Sequence, residues 1–280
     1  METENVDLDT GIPHSARAYG YMLGGKDNFP ADRAFIRDIL QGFPECLDIA
    51  RQNRQFLYRG VRYLVEEAGI RQFIDMGCGL PTDANVHQVA HTFAPDARVV
   101  YVDIDPIVLV HGRALLTSDA TTTIIGGDML DQDAILADPA LNRLIDWDEP
   151  LAVLFLSVGH HLLDDADPRR VLRTAIDRAV PGSHLALSQV VCDDAERGAR
   201  MSREINDSGI PWQTRTPDEF AALFADGLDA VEPGLVNLLD WRPDPDQPPL
   251  PAVPEPLRTY DGATRVNRSL YEYGGVLRKP

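Results

Sequence analysis

The middle of the chain alternates between two hydrophobic periods, and this alternation constrains the fold more than any other feature. Short apolar or β-branched runs, typical of buried strands, occupy residues 71–76, 98–103, 121–126, 150–157 and 183–190. Segments with helical spacing lie between them, at residues 83–93, 106–116, 131–138 and 168–179. Strands that alternate with helices pair in parallel through right-handed crossovers. We therefore expect an open α/β sheet with helices on both faces.

A glycine turn follows the first predicted strand, where such sheets bind their ligands. Gly77, Cys78 and Gly79 form a G-x-G, but Thr82 stands where the dinucleotide fingerprint needs a third Gly or Ala. A G-x-G alone is weak evidence for a ligand site, because any tight strand-to-helix turn favours glycine. Asp75, just before the turn, sharpens the interpretation, since its carboxylate would repel a pyrophosphate and attract an ammonium group.

Carboxylates also follow the second and third predicted strands. Asp103, beside Ile104 in YVDIDP, is placed to accept hydrogen bonds from two ribose hydroxyls. In GGDMLD, Asp128 can accept from an exocyclic amine while Met129 packs on a purine face. This series suits a ligand that carries an amino acid, a ribose and an adenine but no phosphate. S-adenosylmethionine is that ligand.

Composition excludes several other functions. A formal net charge of -18 disfavours nucleic-acid binding without a basic patch, and the sequence shows no such patch. The three cysteines are far apart, so we predict neither a disulfide framework nor a cysteine metal site. No apolar run is long enough to span a membrane, and the acidic start METENVDLDT is unlike a signal peptide. We expect a cytoplasmic protein with no membrane partner and no metal.

The loop after the fourth predicted strand, LFLSVGHHLLDD, holds the candidate catalytic groups. Ser157 lies where the strand should end, beside the cofactor, and His160 and His161 follow it. Histidine can remove a proton from a methyl acceptor near neutral pH, and we favour His160 for this role. An equally weighted interpretation is that both histidines have structural roles. The sequence lacks a [DN]-P-P-[FY] tetrapeptide, which tilts the prediction toward a small molecule methylated at oxygen or carbon.

The opening stretch GYMLGGKDNF resembles a phosphate-binding loop only superficially, because Asp27 replaces the Ser or Thr that would hold magnesium. We predict an irregular loop over residues 19–29 before a helix that begins near Ala31. One hypothesis makes this loop a lid that brings Tyr21, Lys26 and Asn28 near the cofactor or the substrate. The alternative is an arm packed on the sheet with a solvated Lys26.

The order FIDMGCG, VVYVDIDP, GGDMLD, LAVLFLSVGHHLLDD and VPGSHLALSQV resembles the motif series of class I S-adenosylmethionine-dependent methyltransferases. The flanks PHSARAYGYMLGGKDNFPADR and GGVLRKP resemble an actinobacterial family of S-adenosyl methyltransferases. The resemblance implies a Rossmann-like, three-layer αβα fold with a mostly parallel seven-stranded sheet. It also implies one structural domain, with an N-terminal arm and helical cap over residues 1–68 and a cofactor-binding core over residues 69–280.

Other functions and features stay open at this stage. A non-catalytic protein that binds S-adenosylmethionine or S-adenosylhomocysteine to regulate secondary metabolism fits the same motifs. A nicotinamide-dependent oxidoreductase fits less well, because of Asp75 and the missing third glycine. The proline-rich residues 242–256 form either an exposed connection or a flap beside the substrate. A homodimer is compatible with the sequence.

Overall fold

A computed structural model describes residues 9–82, 84–115 and 120–280 of the 280-residue chain. Most of the acidic start lies outside the described residues, at positions 1–8. Position 83, where the predicted helix 83–93 begins, and position 116, where the predicted helix 106–116 ends, also lie outside the described residues.

One mixed sheet forms the centre of the molecule, in the order β3-β2-β1-β4-β5-β8-β6, with β7 also paired to β8. Its strands are β1 Gln72–Met76, β2 Arg98–Asp103, β3 Thr122–Gly126, β4 Ala152–Phe155, β5 His184–Cys192, β6 Asp229–Ala230, β7 Val236–Asn237 and β8 Leu270–Arg278. Strands β1 to β5 pair in parallel, as predicted, and β8 runs antiparallel between β5 and the short edge strands. The strand order reverses between β1 and β4, which creates the crevice where ligands bind in such sheets.

The mostly parallel Rossmann-like sheet is confirmed, but it has eight strands among the described residues where seven were predicted. Two short strands, β6 and β7, pair with β8 at the antiparallel edge. Pro233 between them has no amide hydrogen to donate to a ladder. Gly234 then adopts a φ of 92°, and this turn separates the two short pieces.

Helices cover both faces of the sheet and form an N-terminal layer. Their bounds are α1 Ser15–Met22, α2 Pro30–Gly42, α3 Cys46–Glu66, α4 Val86–Phe93, α5 Pro106–Leu115, α6 Gln132–Ala137, α7 Pro139–Leu144, α8 Pro168–Arg178, α9 Ala195–Asn206, α10 Pro217–Phe224 and α11 Ala263–Val266. Asp167 caps α8, and Thr216 forms a capping box with Glu219 at α10. The predicted helix 131–138 corresponds to α6, and α7 was not predicted.

Three hydrophobic clusters hold these layers together. Successive residues of β1 alternate between two of them: Phe73 packs in the cluster with α3 and α4, whereas Ile74 and Met76 pack in the cluster with α8 and α10. The third cluster lies between α1, α2, α3 and α9, beside the ends of β5 and β8. We call this third group the N-terminal cluster. It becomes important below because it surrounds part of a cavity.

The predicted loop at residues 19–29 begins later than expected, because α1 continues to Met22. Packing explains the difference: Ala18 and Met22 are buried in the N-terminal cluster, which stabilises a helix too short to persist alone. The paired glycines then turn the chain, with the Gly25 amide donating to the Gly20 carbonyl at 2.8 Å. Helix α2 starts at Pro30, next to the predicted position.

The proline-rich segment is anchored along α3. Arg62 contacts Asp244 at 2.7 Å, and Arg59 donates to the Gln247 side chain at 3.0 Å. Arg51 donates to the Pro251 carbonyl at 2.9 Å. These contacts hold the segment against α3, and they do not support the alternative that it forms a flap beside the substrate. Within the part of the chain that is described, no helix has the length and apolar character needed to cross a bilayer.

Candidate active site

A cavity of about 510 Å³ begins at the carboxyl ends of the parallel strands and continues beneath the N-terminal helices. One end, which we call the cofactor end, is formed by the loops after β1, β2 and β3 together with Arg54 of α3. The other end, the acceptor chamber, is lined by residues of the N-terminal cluster. The loop after β4 lies between the two ends.

The glycine turn after β1 leaves space for a ligand. Gly77 and Gly79 both have a φ of 67°, a conformation that side chains other than glycine rarely adopt. A Cβ at Gly77 would lie 2.8 Å from Cγ1 of Val158, whereas a Cβ at Gly79 would meet nothing within 4 Å. The backbone at Gly79 therefore borders open space, and a bound molecule can approach it closely.

Asp103 connects the end of β2 to the glycine turn. Its Oδ2 accepts from the Gly79 amide at 2.8 Å, and its Oδ1 accepts from the Asp105 amide at 2.9 Å. Each carboxylate oxygen has a second lone pair, so both can still accept from a ligand hydroxyl. Burial raises the pKa of Asp103, and the two backbone amides oppose this shift. Cys78 lies beside this carboxylate and also lines the cavity.

Asp75 lies near the end of β1, next to the point where the strand order reverses. It is buried, and burial raises its pKa to about 7; Arg54 opposes the rise and the negative charge of Asp103 adds to it. A cationic group placed here would favour the ionised form. In its ionised form, Asp75 attracts a positively charged ligand group placed beside it.

Arg54 supplies a positive charge at the same end, and the sequence-based interpretation did not assign it to the site. The guanidinium donates to the Thr82 side chain and, at 2.6 Å, to the Ala84 carbonyl, while its Nε is buried without a hydrogen-bond partner. An unsatisfied buried donor of this kind is costly unless a ligand accepts from it. Its position on a helix far from the glycine motif explains why local sequence patterns did not reveal it.

The remaining cofactor-end residues lie after β2 and β3. Ile104 is 58% exposed at the rim, and Met129 is partly buried below it. Asp128 Oδ1 accepts from the Leu130 amide at 2.9 Å, which fixes the carboxylate at the cavity wall. The structure thus brings Asp75, Asp103 and Asp128 around one cavity, as their positions after successive strands predict.

Ser157 marks the end of β4 and has a left-handed backbone, with a φ of 58°. Its amide donates to Ser188 Oγ at 2.7 Å, and the Ser188 hydroxyl donates to the Asn53 side chain at 2.8 Å. These bonds stabilise a conformation that is unfavourable for serine. They place the short 3-10 helix Gly159–His161 at the middle of the cavity.

His160 is buried and stacks on Trp212, with ring centroids 3.7 Å apart. Its Nδ1 accepts from the Val190 amide at 3.3 Å, so the ring proton of the neutral form lies on Nε2. Burial lowers its pKa well below the usual value, with smaller contributions from His161 and Arg215. In this tautomer, the free ring nitrogen is a donor and cannot accept a proton.

His161 has the opposite tautomer. Its Nδ1 lies 2.7 Å from the Pro211 carbonyl, which can only accept, so Nδ1 carries the proton. Nε2 then has a free lone pair, and it accepts from the Ser15 hydroxyl at 2.8 Å. Burial lowers the pKa of His161 to about 4, which keeps the ring neutral at physiological pH.

Arg215 fixes the backbone on either side of these histidines. The buried guanidinium donates to the Gly159 carbonyl at 3.3 Å and to the Leu162 carbonyl at 2.6 Å. It also contacts Asp164 at 2.7 Å. The position of both imidazoles is therefore set by a residue from a distant loop.

The proposed lid residues do not line the cavity. Lys26 is exposed, and Tyr21 is buried within the N-terminal cluster. The Asn28 side chain donates to the Gly25 carbonyl at 2.8 Å and accepts from Arg33. The wall on this side comes instead from the start of α1, which a contact of 3.0 Å between His14 and Asp105 holds against the loop after β2.

Among the described residues, no group of three or more His, Cys, Asp or Glu side chains could hold a metal ion. The polar groups considered below are the carboxylates that line the cavity, Arg54, and the neutral imidazoles of His160 and His161.

Comparisons with known proteins identify the family of this chain. The sequence profile of a family described as S-adenosyl methyltransferase matches residues 1–280. A DUF574 family protein from Streptomyces avermitilis is 38% identical, with a TM-score of 0.86 over 97% of this chain and 99% of that one. A candidate methyltransferase from Thermobifida fusca is 40% identical, with a TM-score of 0.83 over 97% of each chain. No curated protein matches the sequence.

Proposed function

This chain belongs to the S-adenosyl methyltransferase family, and on that premise we propose that it methylates a hydroxyl oxygen of a small molecule. As a member of the family it is an S-adenosylmethionine-dependent enzyme. The observation that carries the choice of acceptor atom is the Ser15 hydroxyl, which lies 2.8 Å from the unprotonated Nε2 of His161. A hydroxyl is thus already accommodated at the one ring nitrogen of the histidine pair that can accept a proton.

The cofactor end suits S-adenosylmethionine group by group. Asp75 suits the ammonium, and the unsatisfied Nε of Arg54 suits the carboxylate of the methionine portion. Asp103 retains acceptor capacity for the ribose hydroxyls. Asp128 and Met129, with Ile104 across the rim, suit the adenine amine and its faces. These assignments follow from the chemistry of the donors and acceptors that line the cavity.

The same end is poorly suited to a dinucleotide. A pyrophosphate at Gly77 and Gly79 would lie close to the carboxylates of Asp75 and Asp103, and like charges repel strongly in a buried site. Among the described residues that line the cavity, Arg54 is the one Lys or Arg side chain that would offset that repulsion. Family membership and electrostatics therefore both oppose the nicotinamide-dependent alternative.

When bound, the cofactor supplies an electrophilic methyl group on a sulfonium. The protein must then place the acceptor oxygen in line with that methyl and remove its proton. We assign proton removal to His161 Nε2, with the Pro211 carbonyl fixing the tautomer. His160 can donate a hydrogen bond through Nε2 and offers its ring as a packing surface. Arg215 positions both histidines. His161 thus replaces His160, the residue that the sequence favoured.

The proposal is tested by measuring S-adenosylhomocysteine release with a panel of hydroxyl, amine and thiol compounds of matched size. Release with hydroxyl compounds only is expected, together with mass-spectrometric detection of the methyl ether. Tight cofactor binding without release for any acceptor class would favour the regulatory alternative. Release with amines but not with hydroxyls would refute oxygen as the acceptor atom.

A further inference from the structure

The acceptor chamber is a hollow within the N-terminal cluster. Its wall is made of aliphatic and sulfur-containing side chains from α1, α2, α3, β5 and α9, including Met22, Ile36, Ile39 and Met201. Flexible methionines adapt to the outline of an apolar ligand. A wall of this composition stabilises a ligand by removing its apolar surface from water.

Charge is distributed unevenly along the cavity. The charged side chains that line it among the described residues, Arg54, Asp75, Asp103 and Asp128, all lie at the cofactor end. An ionised group in the chamber would lose its hydration and gain no ionic partner there, which is strongly unfavourable. The ligand part that enters the chamber must therefore be uncharged.

The polar groups of the chamber are largely engaged with one another. Asn53 accepts from Ser188 and donates to the Tyr19 hydroxyl at 3.0 Å, and that hydroxyl donates to the Ala50 carbonyl at 2.9 Å. They present few free acceptors to a sugar or another polyhydroxylated ligand. His161 and Ser15, at the junction with the cofactor end, offer the polar contact that remains.

A flat surface lies next to that junction. The rings of His160 and Trp212 stack at an interplanar angle of 26°, and both residues line the cavity. His161 packs edge-on against both rings, 4.5 Å and 5.3 Å away between centroids. Aromatic ligands bind well in such a setting, because ring edges and faces attract each other.

From these features we infer that the acceptor chamber binds an uncharged aromatic compound whose single hydroxyl is directed at His161. This inference rests on the proposed function and specifies its substrate class. It makes the chamber a selective site that rejects both carboxylated and polyhydroxylated acceptors.

The test uses the full chain saturated with S-adenosylhomocysteine, titrated calorimetrically at pH 7 with 1-naphthol, 1-naphthoate and glucose. We expect 1-naphthol to bind at least about tenfold more tightly than either of the others. Ala50→Phe places a ring in the chamber, since Ala50 lines it and is 2% exposed. It should weaken 1-naphthol binding at least about tenfold and change S-adenosylhomocysteine affinity by no more than about twofold.

Val266→Phe is the matched control, because Val266 is 91% exposed; it should change neither affinity. If Ala50→Phe fails to fold, Ile205→Phe on α9 fills the chamber from the opposite wall and is judged by the same criteria. Equal affinity for 1-naphthol and 1-naphthoate, or undiminished 1-naphthol binding in a folded filled variant, would overturn the inference. Failure of the native chain to bind S-adenosylhomocysteine would instead contradict the proposed function.

Discussion

The hydroxyl of Ser15, at the first turn of α1, donates to Nε2 of His161 over a distance of 2.8 Å. The two residues are 146 positions apart in sequence, so the contact joins the N-terminal layer to the loop after β4. It places a hydroxyl where the proposed acceptor hydroxyl would lie. Because Ser15 is anchored through the start of α1, the chemistry depends on how that helix is held.

Replacing His161 with glutamine should reduce methyl transfer by a factor of about 10² to 10⁴, since it removes a positioned proton acceptor while keeping a similar shape. Affinity for S-adenosylmethionine should stay close to that of the native protein, because the assigned cofactor contacts are unaffected. Single-turnover rates and calorimetric affinities measure the two effects separately. His111→Gln is the control, because His111 contacts Asp27 away from the cavity wall. A native rate in His161→Gln would reject the assignment.

Arg54→Gln should weaken S-adenosylmethionine binding by roughly 10- to 100-fold, the effect of losing a charge-assisted hydrogen bond to a carboxylate. The loss should be smaller for a cofactor analogue in which the carboxylate is an amide. Arg62→Gln, which alters ion pairs on the outer side of the same helix, serves as the control. Equal losses for the acid and the amide would show that Arg54 acts only by holding the loop at Thr82 and Ala84.

Cofactor affinity should increase as the pH rises from 6 to 8. Asp75 has a pKa of about 7 in the protein without ligand, so it is largely protonated at pH 6 and ionised at pH 8. Only the ionised form attracts the ammonium of the cofactor. Asp75→Asn should bind more weakly at pH 8 and lose most of the pH dependence. An unchanged pH profile in this variant would place the titrating group elsewhere.

Glu272 on β8 should make the folded protein less stable as the pH rises from about 5 to about 8. The residue is fully buried, and burial raises its pKa to about 8, partly opposed by the Ser188 and Ser157 hydroxyls. Its contribution to the stability of the folded state is fully present below the ordinary glutamate pKa of 4.5, and it is lost as the pH rises from there to about 8. A shift of this size corresponds to roughly 3 to 5 kcal/mol.

Glu272→Gln should therefore flatten the stability profile between about pH 5 and pH 8, as measured by urea unfolding. Glu255→Gln, at an exposed position, should leave the native slope intact. A Glu272→Gln profile as steep as the native one would assign the effect to another group. Asp75 contributes in the same direction at slightly lower pH.

The sheet and the cofactor end could be predicted from the sequence, because both depend on local sequence patterns. Apolar runs of six to eight residues predicted β1 to β5, and carboxylates placed at the ends of strands meet at one edge whenever the strands are parallel. Asp75 and Asp103 could therefore be located without knowing any tertiary contact.

The arrangement of His160 and His161 could not be predicted from the sequence, because it depends on contacts with distant segments of the chain. The Pro211 carbonyl, the Val190 amide and the Ser15 hydroxyl decide the tautomers of the two histidines, and none of them is marked by a motif. Arg54 was missed for the same reason. Short helices such as α1 are also difficult to predict, since packing stabilises them more than their own sequence does.

The two ends of the cavity are built from different parts of the chain. Strand termini and Arg54 of α3 form the cofactor end, whereas residues of α1, α2, α9 and the rest of α3 enclose most of the chamber, with β5 completing its wall. Exchanging residues in those helices can thus alter which compound is recognised while the methyl-donor machinery is preserved. A library confined to the chamber walls would be a direct way to obtain catalysts with new acceptor preferences from this scaffold.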